Sequence, residues 1–211
     1  MDKEKERRAF LWVMLGVSLT AVLIWYARRL AAAPVGGWGR ETAVLFSYFT
    51  ISTNSLMVVM SGALLRGRGR LYDWFKSPGV QTACCLYIAF VGLGFWFLLG
   101  GPQGLVTVLD WIPEICGHSL APILGVVFWL RHVEKGQING RYPFLWLIYP
   151  LAYLGYWLIR GPLVGSYPYF FMDVNALGYG GVAKWSGVLM LAYLFLGTLM
   201  WQVDRWQARR A

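Results

Sequence analysis

The chain alternates six long apolar runs with short polar connections. The runs cover residues 9–27, 43–65, 79–99, 115–130, 143–159 and 178–203, lengths close to the roughly 17 to 25 residues that carry an α-helix across a bilayer. The pattern predicts an all-α polytopic membrane protein, a bundle of six transmembrane helices forming one domain over 1–211. The connections are too short to hold a separate soluble domain, so any chemistry belongs in or beside the membrane. The basic start MDKEKERR followed by an apolar stretch looks like a signal peptide. That stretch outruns the about 7 to 15 residues of such a segment and ends at Arg28 and Arg29, so it is read as the first span.

Composition sharpens this reading. The chain is 58% hydrophobic and 14% charged, against about 25% charge in a soluble domain. A net charge of +9 would suggest nucleic acid on a soluble protein, but here the cations fall between spans and no nucleic-acid partner is expected. Lys3, Lys5, Arg7, Arg8, Arg66, Arg68, Arg70, Lys76, Arg131, Lys135, Arg141, Arg205, Arg209 and Arg210 occupy one side. Arg28, Arg29, Arg40 and Arg160 occupy the other, and Lys184 lies inside the last run. The positive-inside bias predicts both termini in the cytoplasm of a plasma or inner membrane, with 28–42, 100–114 and 160–177 facing outward. Cys84, Cys85 and Cys116 offer neither paired spacing nor an even set, so no disulfide framework or zinc site is expected. His118 and His132 would stand about 21 Å apart along one helix, too far to ligate one iron, and no cofactor is expected.

Polar residues inside spans are the candidate chemistry. In the second run Ser47, Thr50, Asn54 and Ser61 recur on one helical face with Thr53 beside Asn54. Hydrogen bonding between packed membrane helices explains such a stripe without any further function. In the fourth run Glu114, His118 and Pro122 follow at i, i+4 and i+8. Pro122 has no N–H to give the carbonyl of His118 and predicts a kink there. An ionisable residue at that depth is a functional hypothesis by default. Tyr149, Tyr153, Tyr156 and Arg160 run along the fifth span, and Asp173 lies in the Gly, Pro and Tyr-rich segment after it. An interfacial aromatic belt accounts for much of that content. Arg160 either pairs with Asp173 or receives an anionic headgroup or carboxylate from outside. All these positions fall in the outer halves of their helices, predicting a polar cavity open to the outer leaflet.

SYFTISTN in the second run, HSLAP in the fourth and YPLAYLGYWLIRGPLVGSYPYFFMDVNALGYGGV across the last two resemble a bacterial group of six-span membrane proteins. That group is similar to the androgen-induced and androgen-dependent TFPI-regulating proteins, which are intramembrane threonine hydrolases of fatty acid esters of hydroxy fatty acids. The resemblance implies Thr50 as nucleophile, after Tyr48 and Phe49, and His118 as its base. This chain departs from the animal pattern in the spacing from His118 to Pro122 and in the distance of Gly36-Gly37 from Thr50, so Thr53 stays open as the nucleophile. A threonine hydroxyl needs a base to take its proton, and the developing oxyanion needs donors. Asn54, Tyr153 and Tyr156 are candidates for the second role. Glu114 is the candidate for orienting His118, and Arg160 for holding the carboxylate of a lipid ester. The rival reading is a non-catalytic lipid-binding or transport protein using the same cavity.

Overall fold

The computed structural model describes residues 2–210. Every regular element among them is helical, and the chain divides into two compact units, Met1–Glu134 and Lys135–Ala211.

The first unit opens with α1 (Lys3–Ala31), whose first turn is capped by Asp2 accepting from the backbone N–H of Glu4 at 3.3 Å. Glu4 and Glu6 in the first turn and Arg28 and Arg29 in the last complement the helix dipole. The second apolar run, expected as one helix, is instead two: α2 (Trp38–Phe46) and α3 (Phe49–Arg66), bent by 82°. Neither Gly nor Pro sits at the corner. Ser47 Oγ donates to the carbonyl of Val44 at 2.6 Å and Tyr48 turns extended, a side chain competing with the helix for its backbone acceptor. The predicted polar stripe is therefore cut, with Ser47 at the corner and Thr50 in the first turn of α3.

After α3, Gly67 adopts a left-handed conformation that stops the helix. Arg8 donates from α1 to the end carbonyl of Leu65 at 3.2 Å. A short α4 (Arg70–Phe75) leads into α5 (Pro78–Leu93), which runs on through a π-helical turn, Gly94–Leu98. The fourth span starts earlier than the apolar run suggests: α6 (Val108–Ile115) is joined by a second π-helical turn, Cys116–Leu120, to α7 (Ala121–His132). Asp110 and Thr107 close a capping box at its start. Pro113 inside α6 leaves the carbonyl of Leu109 without its helical donor, and Arg28 fills that place from α1 at 3.1 Å while pairing with Asp110. α1 packs along α3, and α5 against α7. Leu11, Met14, Met57, Met60, Leu86, Ile88 and Phe128 fill the core between them.

The second unit holds α8 (Tyr142–Leu145), α9 (Ile148–Val164), a 3₁₀ turn at Phe170–Met172 and α10 (Val174–Ala208). Gly178 interrupts α10 with φ 64° and ψ 168°, a conformation reserved for glycine. Asp204 is buried and accepts the backbone N–H of Gly136 at 3.0 Å, tying the polar connection after residue 134 to α10. Among the described residues five helices are long and apolar enough to cross a membrane, or six when the bent α2–α3 pair counts as one span.

Candidate functional site

The two π-helical turns meet in the first unit, and His118 lies where they meet. Phe95 of the first turn stacks on the imidazole of His118 in the second, with centroids 3.8 Å apart and planes within 7°. Beside them Trp96 Nε1 donates to Ser119 Oγ at 3.1 Å. Pro122 explains the second turn, since the carbonyl of His118 has no N–H waiting four residues on, and single π turns of this kind gather at functional sites. Gly92 of α5 lets the helices close on it. A Cβ there would lie 2.7 Å from Pro122 Cβ and 3.2 Å from the His118 carbonyl oxygen.

A second aromatic wall comes from α1. The Trp25 ring stands edge-on to His118 at 5.3 Å, and its Nε1 donates to Glu114 Oε1 at 2.8 Å. The other carboxylate oxygen of Glu114 reaches 2.9 Å from His118 Nδ1. That approach is off the axis of the ring N–H, so Nδ1 is enclosed with a charged neighbour but without an aligned hydrogen bond. Nε2 is not among the enclosed, unpartnered atoms of the described residues. Gly117 makes the approach of Trp25 possible, because a Cβ there would fall 2.1 Å from the indole.

Asn54 of α3 reaches the same place from the opposite helix. It is wholly buried, and its Nδ2 donates to the carbonyls of Thr50 at 3.0 Å and Gly117 at 3.3 Å. Its Oδ1 is enclosed and receives no hydrogen bond, a costly state for a buried amide. One side chain thus links the backbone of Thr50 to the residue before His118. Thr50 itself is half-buried, Thr53 is wholly buried, and no hydrogen bond joins the Thr50 hydroxyl to the imidazole. Glu114, His118, Asn54 and the backbone of Thr50 therefore form one constellation. A small cleft opens beside it, lined by Phe95, Trp96, Pro102, Trp111, Glu114, Ile115 and Ser119.

The remaining predicted residues belong to the second unit. Tyr153 is half-buried on α9. The Tyr156 hydroxyl accepts from Arg160, whose guanidinium also lies 5.6 Å from the Tyr156 ring centre and 5.2 Å from that of Trp157. Asp173 serves as the N-cap of α10, accepting from the backbone of Asn175 at 2.9 Å and Ala176 at 3.3 Å. Among the described residues no three His, Cys, Asp or Glu side chains gather to hold a metal ion.

Sequence reasoning missed Trp25, Phe95, Gly117 and Ser119. Trp25 and Phe95 sit on other helices at positions that read as ordinary apolar residues. The small residue directly before His118, followed by a proline, was the available signal for a close approach.

The chain is 24% identical over 162 residues to a UPF0220 protein of Schizosaccharomyces pombe (strain 972 / ATCC 24843), covering 69% of this chain and 91% of that protein. No family model matches the chain, and no solved structure matches it.

Proposed function

We propose that this protein is a six-span membrane hydrolase of a lipid ester, with Thr50 as nucleophile, His118 as base and both termini in the cytoplasm. The observation that supports the chemistry is the Glu114 carboxylate 2.9 Å from His118 Nδ1 inside an aromatic sheath, which puts a third group within reach of the imidazole, as an oriented catalytic base needs, although no aligned hydrogen bond joins the two. In the reaction Thr50 Oγ attacks the ester carbonyl while Nε2 of His118 takes its proton. The alcohol then leaves with that proton, and water, deprotonated in turn by His118, releases the acid. The first turn of α3 carries backbone N–H groups without helical acceptors, and these would serve the oxyanion, whereas the Asn54 amide is already donating to the carbonyls of Thr50 and Gly117 and has only its acceptor oxygen left. The resemblance to the androgen-induced protein family supports the Thr and His assignment.

The test is labelling of the purified protein with a fluorophosphonate, which reports an activated hydroxyl. Wild type takes the label, Thr50→Ala and His118→Ala do not, and the double variant is no worse than either because the pair acts as a unit. Label at Thr53 would move the nucleophile by one turn. A folded protein that binds lipid yet takes no label would leave the non-catalytic lipid-binding reading. That reading is favoured by the one observation that the Thr50 hydroxyl makes no hydrogen bond to His118.

Orientation rests on the cation count. Single cysteines at Gly67 or Gln137 are expected to be shielded from an impermeant thiol reagent in intact cells, and those at Gln103 or Ser166 to react. The reverse pattern would invert the site's leaflet.

A further inference from the structure

The connection between α3 and α5 carries three cations that nothing in the fold uses. Arg66, Arg68 and Arg70 alternate with Gly67 and Gly69, and all five residues are exposed. Both glycines take positive φ, 70° and 95°, and a Cβ on either would meet nothing within 4 Å. The backbone therefore turns in open space with a guanidinium on every second residue. None of these three guanidinium groups has a hydrogen-bond or ion-pair partner among the described residues. Asp73, the one acid between residues 66 and 76, is taken by Lys76 at 2.8 Å. The helix that follows sets apolar surface beside this charge. α4 packs on α3 and α5 and buries Phe75, while its Leu71 and Trp74 remain 57% and 54% exposed.

A positive-inside bias accounts for cations on one side of a membrane, but not for a leucine and an indole left exposed beside them. The combination fits a bilayer surface with negative headgroups. Guanidinium groups bind phosphate oxygens in pairs, an indole rests at headgroup level, and Lys and Arg clustered directly beside a span draw anionic lipids. We propose that the 66–76 connection binds the phosphate of an anionic phospholipid, with Arg66, Arg68 and Arg70 on the headgroup and Leu71 and Trp74 in the interface beside it. Sixteen residues of α3 put Arg66 about 24 Å along the helix from Thr50. Lipid binding here is therefore independent of the hydrolytic reading, and it holds whichever leaflet this end of α3 faces.

The experiment is native mass spectrometry of the full chain released from maltoside micelles, titrated with phosphatidylglycerol or with phosphatidylcholine of the same acyl chains. Wild type is expected to take its first phosphatidylglycerol about tenfold more tightly than phosphatidylcholine, or better. Replacing Arg66, Arg68 and Arg70 together by Gln should remove that preference, each basic residue near an anionic surface contributing a factor of about five. Arg68→Gln alone, a single change at an exposed position, should lower the preference by about fivefold and keeps the test decisive if the triple variant fails to fold. Trp74→Ala should weaken both lipids by a few-fold and leave their ratio unchanged. Replacing Arg205, Arg209 and Arg210 by Gln removes the same charge from the end of α10 and should leave the preference within a few-fold of wild type. Three results overturn the proposal: no preference in wild type, a preference that survives the loss of Arg66, Arg68 and Arg70, or an equal loss in the α10 variant, which would assign the effect to net charge. A single-stranded oligonucleotide that displaces phosphatidylglycerol at equal phosphate concentration would assign the patch to nucleic acid and overturn it too. None of these readouts involves ester cleavage, so failure here and failure of the hydrolase reading are separate results.

Discussion

Each unit contains a polar pair one helical turn apart, and the two pairs have different surroundings. Glu114 and His118 in the first unit stand at i and i+4, as do Tyr156 and Arg160 in the second. His118 is 8% exposed, sheathed by Phe95 from α5 and Trp25 from α1, with Asn54 of α3 bonded to the neighbouring Gly117 carbonyl. Tyr156 is 43% exposed, and the rings beneath Arg160 belong to its own helix. The same spacing yields an enclosed imidazole beside a carboxylate in one case and a surface cation on an aromatic shelf in the other. Enclosure by other helices therefore distinguishes the pairs.

The largest expected effect breaks the first pair. Under the proposed hydrolase reading, His118→Ala reduces ester cleavage by about 10² to 10⁴-fold, the usual contribution of a positioned base, measured as turnover of the purified protein. Arg160→Gln should leave turnover within a few-fold if the second pair is only a surface feature. A comparable loss in both variants would erase the functional contrast.

Glycines give a second contrast with opposite signs. Gly117→Ala drives a methyl group against Trp25 at 2.1 Å and should cost about 1 to 3 kcal/mol, as overpacking does. Gly155→Ala in α9 meets nothing within 4 Å. It should be neutral or stabilising by up to about 1 kcal/mol, through the helix preference of alanine. Thermal unfolding in detergent reads both. Equal destabilisation would mean that the close approach of Trp25 is not a feature of the folded protein.

The apolar runs, the i and i+4 spacing of Glu114 and His118, and the proline at 122 were all legible from the sequence, because each is a local property of one segment. The corner at Ser47 was not. A serine side chain taking a backbone acceptor is weak beside the hydrophobicity of 43–65, so a period count runs straight through it. The extension of the fourth run from residue 115 back to Val108 was masked by Asp110 and Pro113, which read as loop residues until Thr107 and Arg28 are seen to satisfy them. Trp25 and Phe95 were invisible as site residues because their role comes from contacts 93 and 23 positions away along the chain, and nothing in a single sequence pairs them.

A smaller effect separates the orienting bond from the aromatic wall. Trp25→Phe keeps a ring beside His118 and removes the donor to Glu114 Oε1. It should cost about 1.5 to 3 kcal/mol if the bond to the carboxylate contributes as a charged hydrogen bond does. The same change should lower fluorophosphonate labelling while leaving some of it, because Glu114 still faces Nδ1. Full labelling with full stability would assign Trp25 to packing alone.

The smallest expected effect lies in the second unit. Tyr156→Phe removes the hydroxyl that accepts from Arg160 but leaves both rings beneath the guanidinium. Hydrogen bonds between side chains in membrane proteins average about 0.6 kcal/mol by double-mutant cycles, and an exposed pair also has water as an alternative. The loss should therefore be about 0.6 kcal/mol or less, with turnover unchanged. Tyr156→Leu, which removes the ring as well, should cost more by the cation–ring attraction, about 0.5 to 1 kcal/mol at an exposed site. A turnover loss near a hundredfold in Tyr156→Phe would instead give this hydroxyl the oxyanion role.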